Sequence, residues 1–214
     1  MPWKAGVNIK MKTTIFLIRH GEIDNPKKIM YGGSLEMQIT DIGRAQIKKT
    51  AEKIKALGHQ IEKIYTSPMH RTMESSKVLA LVFRIENKII KEKNLWDVLI
   101  PALAGELLTI RDKIHAKGTD EYNSYYASLG NESREQIVGR MENAFRNIVK
   151  SNKGKTVAIV SHGDPIRFLL YRLDHLGEKV PSVSTLIDEE YVQKGKAVKI
   201  IVDETGKVVE KTFL

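Results

Sequence analysis

The chain has 214 residues, no cysteine and a formal charge of +9 at neutral pH. That length suits one domain with a sizeable buried core. The lack of cysteine excludes disulfides, thiolate metal sites and a cysteine nucleophile, and with the last the cysteine phosphatases.

Residues 1–12 carry Pro2, Trp3 and Gly6 without periodicity and read as an N-terminal extension ahead of a single domain over 13–214. They hold too few apolar residues for a signal peptide, and no run of eighteen apolar residues occurs, so a cytoplasmic protein with no membrane partner is expected. Ile15 to Ile18 is a buried strand ending in Arg19, His20 and Gly21, whose glycine is expected to let the backbone turn sharply. Asp24 to Leu35, with Pro26, Gly32 and Gly33, is a loop. Thr40 then caps a helix whose Ile47, Ala51, Ile54 and Leu57 share one face before a stop at Gly58. Ile61 to Thr66 alternates as a strand, and Pro68 opens a helix with Met69, Met73, Leu79 or Ala80, and Phe83 on its apolar stripe. Arg71 falls in the first turn, where it can hold an anion or pair with Glu74 or Ser75 at the surface.

Lys88 to Ile90 is a short edge strand. Asn94 to Gly105 is irregular, and short helices are expected over Glu106 to His115 and Asp120 to Leu129, so residues 94–130 form a helical cap-like insertion shaping the mouth of a site. Ser133 and Gln136 have capping-box spacing, and Ile137, Met141, Phe145 and Ile148 form the stripe of the helix they open, which ends near Asn152 to Gly154. Lys155 to Ser161 is a second buried strand; Gly154-Lys155-Thr156 lacks the first glycine of a P-loop and precedes a strand, so it is a turn. Asp164 and Pro165 read as N-cap and N1 of a helix through Leu173. Ala197 to Val202 and Lys207 to Phe213 close the chain as a hairpin. Strands alternating with helices predict an α/β fold, a three-layer sandwich with a mostly parallel central sheet and an antiparallel edge.

Strand ends on one edge of such a sheet converge on a shared crevice. Here they carry Arg19-His20-Gly21-Glu22, Ser67-Pro68 with Arg71, and Ser161-His162-Gly163. Two arginines suit a phosphate and a neutral imidazole can attack phosphorus, which points to covalent phosphoryl transfer. With these motifs in this order, the sequence from Thr13 onward resembles the histidine phosphatase superfamily, branch 1, with its phosphoglycerate mutase-like fold. Ile166-Arg167, Gly33 with Thr40, Gly43 and Gln46, and Glu132-Ser133 are further echoes. The resemblance implies that His20 becomes phosphorylated while Arg19, Arg71 and His162 hold the phosphoryl oxygens, without a metal or cofactor. It implies an acid in Leu95-Trp96-Asp97, followed by Gly105, with Asp97 in place of the usual Glu and hence a shorter reach; Glu22 and Glu106 are fallback acids. Asn25 is a candidate phosphate ligand one position early, Gly163 an accessory group, and Glu74-Ser75 stand where the family often has Gln-Thr.

The expected function is hydrolysis of small phosphorylated metabolites through a phosphohistidine on His20. The Arg-Arg-Tyr-Gly segment typical of mutases after the acid is missing. Asp164 stands where a mutase often has Asn and would repel a carboxylate if it faced the site, although capping its helix is the expectation. The alternatives are a cofactor-dependent phosphoglycerate mutase and a catalytically weak phosphate-binding regulatory or nucleic-acid-binding domain. A metal site of His20, His162, Glu22 and Asp164 is disfavoured by two nearby arginines. Lysines are scattered among glutamates on helices such as Ile47 to Lys55, so the expected partner is a small phosphorylated substrate and not nucleic acid, with monomer and homodimer both open. Abundant Lys, Glu and Ile without Cys fits a thermophilic source. Activity is expected to favour mild acid in a bell-shaped profile, with His20 neutral and Asp97 starting protonated.

Overall fold

A computed structural model describes residues 11–31, 33, 37–186 and 191–214; the extension at 1–10, with Gly32 and Leu35 of the first loop, lies outside the described residues. The central strand β1 (Thr13–Arg19) pairs in parallel with β4 (Thr156–Ser161), β4 with β2 (Lys63–Thr66), and β2 with β3 (Ile89–Lys91). On its other side β1 pairs antiparallel with β5 (Ala197–Val202), and β5 with β6 (Val208–Phe213). The sheet therefore reads β3-β2-β4-β1-β5-β6, the predicted mostly parallel arrangement with an antiparallel side.

The helices are α1 (Asp41–Ala56), α2 (His70–Phe83), α3 (Thr109–His115), α4 (Ser124–Ser128), α5 (Arg134–Ser151) and α6 (Gly163–Asp174). Successive strand side chains point to opposite faces, and β1 divides accordingly. Phe16 and Ile18 join Ala158 and Val160 under α1 and α2, while Ile15 and Leu17 join Val157 and Ile159 under α5 and α6. With both faces covered, the central strands must be apolar throughout, which is why they read as unbroken hydrophobic runs. Thr40 accepts from the Gly43 N–H, and the Ser133–Gln136 capping box closes in both directions.

Several local expectations are corrected. Helix α1 stops at Ala56, so Leu57 leaves the buried stripe and is 53% exposed. Helix α2 starts at His70 with Met69 as N-cap, leaving Pro68 outside. The insertion helices are shorter than expected because their first residues have other partners. Gly105 donates to the Met30 carbonyl and Glu106 accepts from the Met30 N–H, while the Asp120 carboxylate takes Arg134 and the Val183 N–H. The cap of α6 is His162, not Asp164, which falls in the first turn with its side chain turned to other partners. No helix among the described residues is long and apolar enough to cross a membrane.

The register of the sheet positions the site. Arg19 pairs with Ser161, so the next residues, His20 and His162, leave neighbouring strands side by side. Thr66 pairs with Val160 on the far side of β4, which delivers Ser67 and the first turn of α2 to the same edge.

Candidate active site

His20 is buried, and its Nδ1–H donates to the Gly21 carbonyl at 2.7 Å. This contact fixes the tautomer and leaves the lone pair on Nε2. Burial, then Arg71 and Arg19, push its pKa down to about 3, so the ring is neutral across the working range. The His162 ring lies 5.2 Å away, centroid to centroid. His162 Nδ1 accepts from Arg71 Nε at 3.3 Å, so Nε2 carries the proton and donates to Ser67 Oγ at 3.0 Å. Burial lowers the His162 pKa too. Arg19 lies over the Tyr191 ring at 4.7 Å and donates through Nη1 to the Val192 carbonyl; its Nε has no partner among the described residues.

Arg71, only 1% exposed, does not pair at the surface: its Nη2 donates to Asp97 Oδ2 at 2.7 Å. The same Oδ2 is 3.4 Å from His162 Nδ1. Burial opposes ionisation of Asp97, but His162 and the permanent charge of Arg71 outweigh it and hold the carboxyl well below the usual carboxylate range. The expectation that Asp97 starts protonated is therefore corrected, because its partner is a buried guanidinium. Glu74 serves α1 instead, accepting from the Ile39 N–H, and Ser75 Oγ accepts from the Gly21 N–H.

These groups open on a cleft of about 660 Å³. Its lining includes five cations, Arg19, Lys28, Arg71, Arg111 and Lys194, and four carboxylates, Glu22, Asp24, Asp97 and Asp164. Asn25 lines it as well, but its amide donates to the Ile29 carbonyl and accepts from the Ile29 N–H, which closes the loop on itself. Glu106 is exposed and is not part of the lining. Among the described residues no three His, Asp or Glu side chains gather as a metal cluster, so His20, His162, Glu22 and Asp164 do not form one. Asp164 is 7% exposed; its Oδ2 accepts from Arg111 and, at 2.6 Å, from the Tyr122 hydroxyl. Burial raises the Asp164 pKa, but Arg111 and the Tyr122 hydroxyl more than reverse this, so it stays ionised.

Gly21 serves a different purpose from the expected sharp turn. A Cβ there would meet the Gly43 carbonyl oxygen at 2.4 Å, and one on Gly43 would meet the Glu22 carbonyl oxygen at 2.3 Å. Two backbones touch, pressing α1 against the histidine loop. Gly43→Ala must separate them, at a cost of about 1–3 kcal/mol. Because a displacement near 1 Å costs about 10²-fold in rate, turnover of an aryl phosphate, the reaction expected from the sequence, should fall by tenfold or more alongside a drop in Tm. Unchanged kcat and Tm would show that the contact is unimportant.

A family model described as the histidine phosphatase superfamily (branch 1) matches residues 15–183. The chain belongs to that superfamily. It is 25% identical over 218 residues to a 2,3-bisphosphoglycerate-dependent phosphoglycerate mutase of Parvibaculum lavamentivorans, covering 95% of this chain and 97% of the relative. A metal-independent phosphoserine phosphatase of Arabidopsis thaliana is 25% identical over 179 residues, covering 80% and 73%. Among solved structures, Bacillus stearothermophilus YhfR superposes with a TM-score of 0.76 at 23% identity over 92% of this chain and 94% of that one, a likeness of fold.

In this member of the histidine phosphatase superfamily, the residues that hold the others in place lie outside the main sequence motifs. Arg140 of α5 donates to the carbonyls of Asn94, Trp96 and Asp97, fixing the backbone that carries the Asp97 carboxylate. Glu132 grips Arg140 and accepts from the Leu99 N–H, while its own N–H donates to the Leu99 carbonyl. Glu132 stands in the sequence only as an echo of the family pattern, and nothing near Arg140 in the chain marks its role. Ser67, Tyr122 and Tyr191 were likewise invisible as partners of His162, Asp164 and Arg19.

Proposed function

We propose that this histidine phosphatase hydrolyses small phosphomonoesters through a phosphohistidine on His20. The observation carrying this reading is a neutral imidazole with its Nε2 lone pair unblocked, beside Arg71, His162 and Arg19, with the Asp97 carboxylate drawn in among them. An anion already sits where a phosphoryl oxygen has most to gain. An incoming phosphate takes Arg71 from Asp97, and Asp97, losing its cation, takes up a proton. His20 Nε2 then attacks phosphorus; the P–O bond to the leaving group breaks, and the departing oxygen takes the Asp97 proton. In the second half water attacks phosphorus, Asp97 takes the water proton, and the P–N bond breaks. Arg19 and Arg71 stabilise the equatorial charge at both transition states, joined by His162 once Arg71 has left its Nδ1 and the ring proton has moved to that nitrogen.

The likeness to mutases and phosphatases alike supports phosphoryl transfer, and a cleft wall already carrying Asp164 supports water over a carboxylated acceptor. The test is a rapid acid-avoiding quench of the protein turning over a ³²P-labelled phosphomonoester in chelator. Acid-labile, alkali-stable label is expected on the peptide bearing His20, with undiminished turnover. Label on another residue, or loss of turnover in chelator, would overturn the mechanism.

A further inference from the structure

Beyond the phosphate-holding groups, the cleft is lined by Arg111, Tyr122 and Asp164, which the phosphoryl transfer steps above do not use. Arg111 of α3 ion-pairs at once with Glu121 and Asp164 and donates to the Tyr122 hydroxyl at 3.2 Å. Glu121 is fully buried, and its second oxygen is 3.0 Å from His115 Nε2. Drawing Arg111 toward a substrate would leave the Glu121 carboxylate buried and without its guanidinium, which is a costly state. Arg111 is therefore committed to its two carboxylates and does not serve as a receptor for a third.

The charge of this wall follows. One guanidinium faces two carboxylates, and Asp164 lines the cleft with an Oδ1 that accepts no hydrogen bond among the described residues. Across the whole lining, five cations against four carboxylates leave one positive charge, which the phosphate monoanion that brings the Asp97 proton cancels. With that positive charge neutralised, the wall carrying the Asp164 carboxylate repels a second anion and accepts hydrogen bonds.

We infer that Asp164, held by Arg111 and Tyr122, is a specificity determinant that selects phosphomonoesters whose leaving group is a neutral polyol or carries an ammonium, and excludes carboxylated ones. The inference deepens the proposed hydrolysis and rests on it for the identity of the phosphate site. Asp164 Oδ1 accepts a hydroxyl or ammonium hydrogen of the leaving group, while a carboxylate in the same place meets a like charge. The Tyr122 hydroxyl is a positioning group, since it holds Oδ2 and leaves Oδ1 to the ligand.

Three esters of similar size separate the cases: ethanolamine phosphate, glycerol 1-phosphate and 3-phosphoglycerate. Calorimetric Kd values are measured on His20→Ala, so that the result does not depend on turnover, and kcat/KM is measured on the parent protein. The first two esters are expected to bind at least about tenfold more tightly than 3-phosphoglycerate, because like-charge juxtaposition is strongly discriminating. Adding Asp164→Asn is expected to shrink that ratio below about threefold, whereas adding Tyr122→Phe, which keeps the carboxylate, preserves the order. Equal or tighter binding of 3-phosphoglycerate, or a preference that survives Asp164→Asn, would overturn the assignment. The preference among the three esters is read without Asp164→Asn, so a misfolded variant does not rescue the idea. If the Kd order holds while the parent fails to hydrolyse any ester, including an aryl phosphate, the hydrolytic reading falls and the charge selection stands.

Discussion

His20→Ala is expected to lower kcat by about 10⁴-fold or more for aryl and alkyl phosphates alike, since removal of a nucleophile abolishes the covalent route altogether. Good leaving groups do not escape this loss, because no step can begin without a lone pair aimed at phosphorus. Affinity for inorganic phosphate should change far less, as Arg19, Arg71 and His162 all remain. The same variant carries a second signature, in stability. With a folded pKa of about 3 and an ordinary value of 6.5, His20 binds a proton in the unfolded chain but not in the folded one throughout that window. The unfolded state therefore gains protons as pH falls, and the parent loses stability below about pH 6.5. Without this histidine, Tm should fall less steeply between pH 7 and pH 4. Steady-state assays showing more than about 1% of parental turnover, against the loss expected for a missing nucleophile, would remove His20 from the nucleophile's role.

Asp97→Asn is expected to separate substrates by leaving group. General acid catalysis contributes about 10²–10⁴-fold, so alkyl phosphates should lose roughly 10³-fold in kcat, while an aryl phosphate, whose oxygen leaves without help, should lose about tenfold or less. Because the variant also frees Arg71 from its carboxylate, inorganic phosphate should inhibit it more strongly than the parent. The depressed Asp97 pKa changes the expected pH profile as well. The free enzyme holds Asp97 ionised, so the proton for the leaving group arrives with the substrate, whose phosphate has a second pKa near ~6. For alkyl substrates kcat/KM should be level below that value and fall about tenfold per pH unit above it. Preference for mild acid survives from the sequence expectation, but the limiting titration belongs to the ester and not to the protein. Equal losses for aryl and alkyl esters would show that Asp97 is not the acid.

The strands of the central sheet were legible because both faces of β1 and β4 are covered, and such strands must be apolar from end to end. The meeting of His20, His162 and Arg71 was legible because their motifs follow the ends of β1, β4 and β2, neighbours on one edge of the sheet. What stayed hidden depended on partners far along the chain. Asp164 before Pro165 has the look of a cap, yet a guanidinium 53 residues upstream outcompetes the helix N–H groups for its carboxylate. Asp97 in its local sequence has the look of an acid that keeps its proton, yet Arg71, 26 residues upstream, holds it ionised. The α3 boundary moved because backbone groups at Gly105 and Glu106 pair with a loop near residue 30, a contact that no local propensity encodes.

The two backbone and side-chain bonds between Leu99 and Glu132 tie the excursion of residues 100–131 at its root, immediately outside the Arg140 grip on Asp97. Whatever lies between those two residues inherits a fixed doorway, and closing a longer span costs only about 0.6 kcal/mol for each doubling of its length. Exchanging the segment between them therefore changes the part of the cleft lined by Arg111 and Tyr122 while Asp97 keeps its place.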